Sequence, residues 1–250
     1  MVKFLFVWIT IQLFIRNIFC IDWCHIENLY CNDKRHIACQ TSYYQKVICT
    51  NGSFIHMREY QNLIIEQHNL YRNNFAEGKL MKFPPASQMR VMYWDKELAF
   101  LAEMHVHNCK FQHDECRATE NYPNAGQNIA IYSSSKEIEY FDRTLMKTIE
   151  LWFNEYKLTP VSLVDNITMT NLSKVGHFTV MMRENNVRVG CAAYKYNTKE
   201  REIVWFNYLI TCNYADNNIL GEKIYTRGNP CSECVNVGTV CSTVYKNLCE

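Results

Sequence analysis

Cysteine is the residue type in this sequence whose chemistry is most open to interpretation. The 250 residues include 13 cysteines, and two residues separate Cys231 from Cys234. That spacing suits a pair of zinc ligands or a thiol–disulfide redox pair. Cys241 and Cys249 follow closely, and four cysteines grouped in this way in a secreted chain favour structural disulfides instead. The compartment in which the chain folds therefore decides which chemistry applies.

The start of the chain carries the pattern of a secretory signal peptide. Lys3 precedes a continuous apolar run over residues 4–15 (FLFVWITIQLFI), which ends at Arg16. The run is too short to cross a bilayer as a helix, but it has the length of a signal-peptide core. We therefore predict a signal peptide over residues 1–20, cleaved near Cys20, and a secreted chain. An uncleaved membrane anchor is the alternative.

Secretion makes disulfides the expected state of the remaining thiols. Removal of Cys20 leaves twelve cysteines, an even number, which predicts that all of them pair. N-glycosylation sequons at Asn51, Asn166 and Asn171 (NGS, NIT, NLS) fit the same secretory route.

Charge balance and missing motifs exclude several functions. The sequence has 26 basic and 25 acidic residues, so it carries no electrostatic footprint for nucleic acid or an anionic membrane. No later stretch is apolar enough to span a bilayer. The Gly-x-Ser-x-Gly, His-Glu-x-x-His and phosphate-loop patterns are absent. We interpret Ser133–Ser135 as helix caps rather than nucleophiles, and His105, on an apolar helix stripe, as a core residue.

The elements that would position any site follow from hydrophobic periodicity. Three helices are predicted: over residues 57–74, after an N-cap at Asp95, and from a capping box at Ser134 and Glu137 onward to Tyr156. Three strands are predicted over residues 178–182, 187–196 and 202–214. Helices followed by antiparallel strands predict an α+β fold, with helices packed on a mainly antiparallel sheet.

Composition suggests the domain boundaries. Cysteines, and in the tail glycine and proline, concentrate at both ends of the mature chain. We predict a Cys-rich N-terminal segment over 21–53, a main domain over 54–220 and a Cys-rich tail over 221–250.

Six short motifs occur in order over the middle of the chain. They are HNLYR (68–72), PPA (84–86), WDKELA (94–99), GQNIA (126–130), GHFT (176–179) and CNY (212–214). Together they resemble the CAP superfamily of cysteine-rich secretory, antigen 5 and pathogenesis-related proteins. The N-terminal cysteine cluster, residues 113–116 (HDEC) and residues 229–234 (NPCSEC) resemble the insect antigen 5 branch.

The resemblance implies a fold and a set of bridges. The fold is an α-β-α sandwich, stapled by disulfides, with the main domain over residues 54–220. The implied pairs are Cys24–Cys39, Cys31–Cys116, Cys49–Cys109 and Cys191–Cys212, with Cys231, Cys234, Cys241 and Cys249 paired among themselves.

The resemblance also implies a central cleft in which two histidines face two acidic residues. The matching positions are His113, Gln127, Glu155 and His177. His113 and His177 could bind zinc or copper. Glutamine at 127 cannot take up a proton, so the chain departs from the family where hydrolysis would need a second acid. His68 and Arg72 belong to a motif that we interpret as structural.

A second departure follows His177. Arg183 stands where the family commonly has tryptophan, and we expect it to alter one wall of the cleft.

These residues favour a secreted, non-enzymatic antigen 5-like protein of the salivary or venom type, and an allergen. We expect a monomer that requires no cofactor and binds host proteins, small hydrophobic ligands such as sterols or lipids, or zinc or copper. Nucleic acid and membrane-spanning roles are not expected. The alternatives are a zinc-dependent hydrolase that uses His113, His177 and Glu155, and a sterol or lipid carrier.

Overall fold

The computed structural model describes residues 21–39, 52–80 and 82–250, apart from the side chain of Asn171. The α-helices are α1 (Trp23–Tyr30), α2 (Gln61–Ala76), α3 (Lys96–Val106), α4 (Phe141–Asn154) and α5 (Met169–Met182). The strands are β1 (Ser53–Ile55), β2 (Tyr93–Trp94), β3 (Gly126–Ser134), β4 (Arg188–Glu200) and β5 (Ile203–Tyr214). Short 3-10 turns lie at Met57–Glu59, Glu155–Lys157, Val161–Val164 and Cys234–Val237.

The strands form one mainly antiparallel sheet in the order β1-β4-β5-β3, with β2 added parallel to β4. Side chains of β4 alternate between two cores. Val189, Cys191 and Ala193 pack with residues of α2, α4 and α5. Ala192, Tyr194 and Tyr196 pack with Ala102 and Val106 of α3. Because alternate residues of a strand face opposite sides of the sheet, helices cover both faces. The predicted α-β-α sandwich is confirmed.

Gly190 allows α3 to lie close to the sheet. A Cβ atom at this position would lie 2.1 Å from the backbone nitrogen of Ala99 and 2.5 Å from the carbonyl oxygen of Asp95. Asp95 caps α3 as predicted, since its side chain accepts from the backbone N–H groups of Glu97 and Leu98. A larger residue at 190 would force the helix away from the sheet.

The predicted capping box is wrong. Ser134 is the last residue of β3, and α4 begins at Phe141 after an N-cap at Tyr140. Glu137 forms an ion pair with Lys195 instead of capping a helix. The Ser133 hydroxyl donates to Asn207 Oδ1 at 2.6 Å, within the sheet. Pairing with β5 therefore determines the conformation of the serine run, because a continuous ladder of backbone hydrogen bonds outweighs a local capping preference.

The predicted strand over 178–182 is also wrong, because these residues end α5. Val175, Phe178 and Met182 are buried, at helical spacing, in the core that also contains residues of α2 and α4. The Thr179 hydroxyl donates to the carbonyl of Val175, one turn earlier. A run of five β-branched and apolar residues is compatible with a strand or with a helix. The helical spacing of buried residues becomes evident only when residues before 178 are included.

Five disulfides lie within the described residues. They are Cys24–Cys39, Cys31–Cys116, Cys191–Cys212, Cys231–Cys241 and Cys234–Cys249, and each agrees with the pairing that the resemblance implies. Cys109 is also disulfide-bonded, while Cys49, its expected partner, lies outside the described residues. Cys31–Cys116 ties the N-terminal segment to the main domain, whereas the two bridges of the tail close loops within the tail itself.

The three predicted segments pack together. Trp23 stacks on His36 and on Phe100 of α3, with ring centroids 5.1 and 5.8 Å apart. In the tail, the backbone N–H of Cys249 donates to the carbonyl of Met89 at 2.8 Å. Across the ranges given above, no helix combines the length and the apolar character needed to cross a membrane.

Buried polar side chains of α2 tie this helix to the rest of the molecule. His68 Nδ1 donates to the Ile64 carbonyl at 2.7 Å, so Nε2 accepts the Tyr214 hydroxyl of β5 at 2.9 Å. The Arg72 guanidinium donates to the carbonyls of Met181 and Arg183, at 2.7 and 2.9 Å, where α5 ends. Both residues are fully buried, which agrees with their structural interpretation.

We predict that His68 makes stability depend on pH. Burial lowers its pKa from 6.5 to about 4. Unfolded chains bind a proton here from about pH 6.5 downward and folded chains only near pH 4, so stability is lost as pH falls. Between about pH 7.5 and pH 5 the free energy of unfolding should drop by about 2 kcal/mol through this group. Urea unfolding of wild type and His68→Gln at both pH values should show a smaller drop in the variant.

The matched control is His25→Gln, since His25 is exposed on α1. Equal pH dependence in wild type and His68→Gln would show that His68 is not the group responsible.

Candidate functional site

Four separate elements position the four side chains that the sequence assigned to the cleft. His113 lies in the loop after α3, Gln127 is the second residue of β3, Glu155 begins the 3-10 turn after α4, and His177 lies in α5. His113, Gln127 and His177 line one cavity of about 340 Å³. Glu155 forms a hydrogen bond with His177. The structure thus brings all four into one region.

Gln127 orients His113. Its amide nitrogen donates to Asp114 Oδ2 at 2.7 Å and to Asn213 Oδ1 at 3.1 Å. The amide oxygen is thereby fixed as the acceptor that faces His113 Nδ1, at 2.8 Å. In neutral His113 the proton must then lie on Nδ1, which leaves the Nε2 lone pair available.

Asp114 is a residue of this site that the sequence analysis did not single out. Its carboxylate is held by Arg117, whose Nε lies 2.7 Å from Oδ1. Position 127 has no acidic group, but the carboxylate of Asp114 is linked to His113 through hydrogen bonds of the Gln127 amide. Its place next to His113 was a signal, but only the fold shows which way the side chain points.

Glu155 orients His177 in the same sense. Glu155 Oε1 lies 2.6 Å from His177 Nδ1, and Oε2 accepts from the backbone N–H groups of His177 and Phe178 at 2.9 and 3.1 Å. Both carboxylate oxygens are committed to α5, so Glu155 is a positioning residue. Trp152 of α4 stacks on the other side of His177, with ring centroids 5.8 Å apart.

Both imidazoles therefore hold their Nδ1 atoms in hydrogen bonds and leave their Nε2 atoms without one, as far as the described part of the chain extends. The pKa of His113 is lowered, mainly because its surroundings remove water from the ring, and Arg117 acts in the same direction. The Gln127 hydrogen bond opposes this shift. A lowered pKa keeps His113 neutral at neutral pH, the form that binds a metal.

Arg183 does not alter the cleft wall as predicted. It is 2% exposed and does not line the cavity. It pairs instead with Asp216 at 2.6 Å and Glu222 at 2.7 Å, at the end of α5. A cation at the C-terminus of a helix is favoured by the helix dipole. Arg183 therefore anchors the tail to the end of α5.

His105 is a core residue, as predicted. It is 2% exposed, and its ring nitrogens lie 2.8 Å from Thr211 Oγ1 and from the carbonyl of Gln112. Throughout the described ranges, no group of three or more His, Cys, Asp or Glu side chains is arranged to hold a metal ion. Within these ranges a metal ion in the cleft would therefore have at most two ligands of these types.

The arrangement of sheet, helices and paired histidines defines a class of protein. The model of the cysteine-rich secretory protein (CAP) family matches residues 65–214, so the chain belongs to that family. Its relatives include venom allergen-1 of Aedes albopictus, 34% identical over 97% of this chain and 92% of that protein. Venom allergen 5 of Polistes dominula is 36% identical over 82% of this chain and 90% of its own.

Solved structures share the fold. The structure of BmVAL-1 superposes with a TM-score of 0.60 at 24% identity, covering 80% of this chain and 97% of its own. A crystal structure of NaASP2 with Zn²⁺ has a TM-score of 0.59, also at 24% identity, and covers 81% and 100% of the two chains.

We predict that Gln127→Glu destabilises the protein. The new carboxylate would lie where the amide now donates to Asp114, and two adjacent carboxylates repel. The free energy of unfolding at neutral pH should fall by about 1–3 kcal/mol. The double variant Asp114→Asn/Gln127→Glu exchanges amide and carboxylate, so it should recover most of this loss. Urea unfolding of the single and double variants checks both statements.

Asp114→Asn alone serves as the control. If Gln127→Glu is as stable as wild type, the hydrogen-bond chain from Asp114 to His113 does not discriminate between the amide and the acid.

Proposed function

We propose that the protein acts outside the cell as a non-enzymatic binding protein, and that its cleft binds a zinc or copper ion through His113 and His177. The observation that carries this proposal is the pair of imidazoles whose Nδ1 atoms are fixed and whose Nε2 atoms are left available. Neutral imidazole nitrogen is a good ligand for both metals.

The donor set fits a weakly held ion. Zinc usually takes four ligands, and two histidines leave the other positions to water or to a bound molecule. Leu172 and Val180 line the same cavity and offer apolar contacts to such a molecule. A small hydrophobic ligand with one metal-binding group is therefore the class that we favour.

Hydrolysis is the competing function, and Glu155 is what counts against it. A zinc hydrolase needs a base close to the metal-bound water. Glu155 gives both oxygens to α5 and His177, and Gln127 cannot accept a proton. Zinc would polarise a bound carbonyl or water, but among the residues that the structure describes no uncommitted carboxylate lines the cavity with the two histidines.

Secretion rests on the predicted signal peptide over 1–20, which lies outside the described residues, and on the disulfides. Disulfides persist in oxidising compartments. The venom allergen relatives support an extracellular role of the salivary or venom type. A monomer that modulates host proteins, haemostasis or immunity, and that acts as an allergen, is the role we infer.

Calorimetric titration of zinc tests the site. Wild-type protein should bind one zinc ion, and His113→Ala/His177→Ala should bind none. Glu155→Gln should weaken binding by about ten- to a hundredfold, because loss of the carboxylate disturbs the tautomer and orientation of His177. Glu150→Gln, at a partly exposed site on α4, should bind as wild type does. Binding should also weaken as the solution is made more acidic, because a protonated imidazole cannot bind a metal ion.

Equal affinity in wild type and His113→Ala/His177→Ala would remove the metal site. If zinc-loaded wild-type protein hydrolyses a peptide or ester substrate and His113→Ala/His177→Ala does not, the hydrolase is correct. Activity that appears only in Asp114→Asn/Gln127→Glu would leave wild type non-enzymatic. A sterol or fatty acid extracted from the secreted protein would support the lipid carrier.

We also predict that glycans shield one side of the cleft. Asn166 is exposed just before α5, and Asn171 precedes Leu172 and Ser173, which both line the cavity. Asn51 lies outside the described residues. Enzymatic removal of N-glycans should speed entry of a fluorescent fatty acid, with zinc binding unchanged because the ion is small. An unchanged rate after glycan removal would contradict this prediction.

A further inference from the structure

One edge of the sheet is open. The strand β3 has β5 as its neighbour on one side and no strand on the other within the described residues. In an antiparallel pair, alternate residues direct their backbone N–H and C=O groups away from the partner strand. In the part of the chain that the structure describes, the backbone of Ala130–Tyr132 makes no hydrogen bond outside its ladder with β5.

This edge lacks the charged residues, proline and bulge that commonly protect an edge strand. The strand β3 (GQNIAIYSS) contains no charged residue and no proline. Its first residues, Gly126–Ile129, are buried, but Tyr132 is 44% exposed and Ser133 is exposed as well. Native proteins normally block such an edge with lysine, proline or a bulge, because an open edge pairs with other chains.

A groove runs beside the open edge. A cavity of about 320 Å³ is lined by Ala130, Ile131 and Tyr132 on the strand and by Arg143, Thr144, Lys147, Thr148, Leu151 and Trp152 on α4. Ala130 and Ile131 pack against opposite faces of the sheet. Because consecutive residues of β3 all line the groove, the groove lies along the edge of the strand and not on one face of the sheet. Leu151 is 58% exposed at the groove.

The charged residues that line the groove are positively charged. Arg143 and Lys147 lie one helical turn apart on α4, on the same side. Arg143 stacks over the ring of Tyr140 at 4.6 Å and forms no salt bridge with any residue that the structure describes. Lys147 pairs with Glu150 at 2.9 Å, but its side chain is 60% exposed. These cations would repel each other between two copies paired edge to edge, whereas an acidic partner would be attracted.

We propose that the β3 edge and the α4 groove dock an extended, acidic segment of another protein by strand addition. The partner's backbone pairs with the outward-facing groups of residues 130–134. Its apolar side chains enter the groove beside Leu151, and its carboxylates meet Arg143 and Lys147. Main-chain pairing supplies affinity and the groove supplies selectivity, as in other strand-addition complexes.

A fluorescein-labelled peptide of alternating valine and glutamate serves as the probe, followed by fluorescence polarisation. We expect saturable binding, with hydrogen-exchange protection confined to the amides of residues 130–134. Arg143→Glu/Lys147→Glu should weaken binding by about tenfold or more. The matched control Lys110→Glu/Lys246→Glu reverses two exposed lysines elsewhere and should bind as wild type does.

Two further peptides make the test decisive. A peptide with the same side chains and alternate amides N-methylated cannot complete the ladder, and a valine–lysine peptide reverses the charge. Equal binding of either one overturns the proposal, as does unchanged affinity in folded Arg143→Glu/Lys147→Glu. Sedimentation as a dimer with protected β3 amides would assign the edge to a second copy. Displacement of the peptide by laurate, without amide protection by the peptide, would assign the groove to a small amphipathic anion.

Discussion

A chain of buried hydrogen bonds that starts on α2 holds the helices against the sheet. His68 accepts the hydroxyl of Tyr214 on β5, and the amide nitrogen of Asn128 on β3 contacts that hydroxyl at 3.3 Å. The same amide nitrogen donates to the carbonyl of His177 at 3.2 Å. One turn beyond His68, Arg72 caps the carbonyls at the end of α5. Because an unpaired polar group in this environment would cost free energy, the register of α2, β3, β5 and α5 is fixed together.

The cleft inherits its geometry from this network. A shift of α5 along its axis would break the contact between Asn128 and His177. It would also break the hydrogen bonds that two backbone N–H groups of α5 donate to Glu155. On the opposite wall, Gln127 is held by Asn213, whose amide nitrogen reaches the carbonyl of Leu98 on α3. Each imidazole is thus oriented by a polar group that is itself anchored to another layer of the sandwich. Such support fixes the orientation of two histidines that lie on different elements and line one cavity.

The replacement of an acid by Gln127 changes the chemistry of the cleft without removing its order. An amide can donate to Asp114 and accept from His113 at the same time, and a carboxylate at neutral pH can only accept. Gln127 therefore links the carboxylate of Asp114 to the imidazole of His113, and this acid does not line the cavity. At the far end of α5, Arg183 pairs with Asp216 and joins the tail to the domain through Glu222 and the carbonyl of Lys223.

Local patterns predicted the disulfides, the capped start of α3 and the strands β4 and β5, and six motifs in a fixed order indicated the family. The sequence by itself could not determine that residues 178–182 are helical, that Ser134 ends a strand or that β3 is an edge, because those outcomes depend on partners distant along the chain. The hydrogen-bond partners of Asp114, Glu155 and Arg183 likewise could not be predicted from local patterns. A side chain's hydrogen-bond partners are set by how the layers pack, and packing is a property of the whole fold.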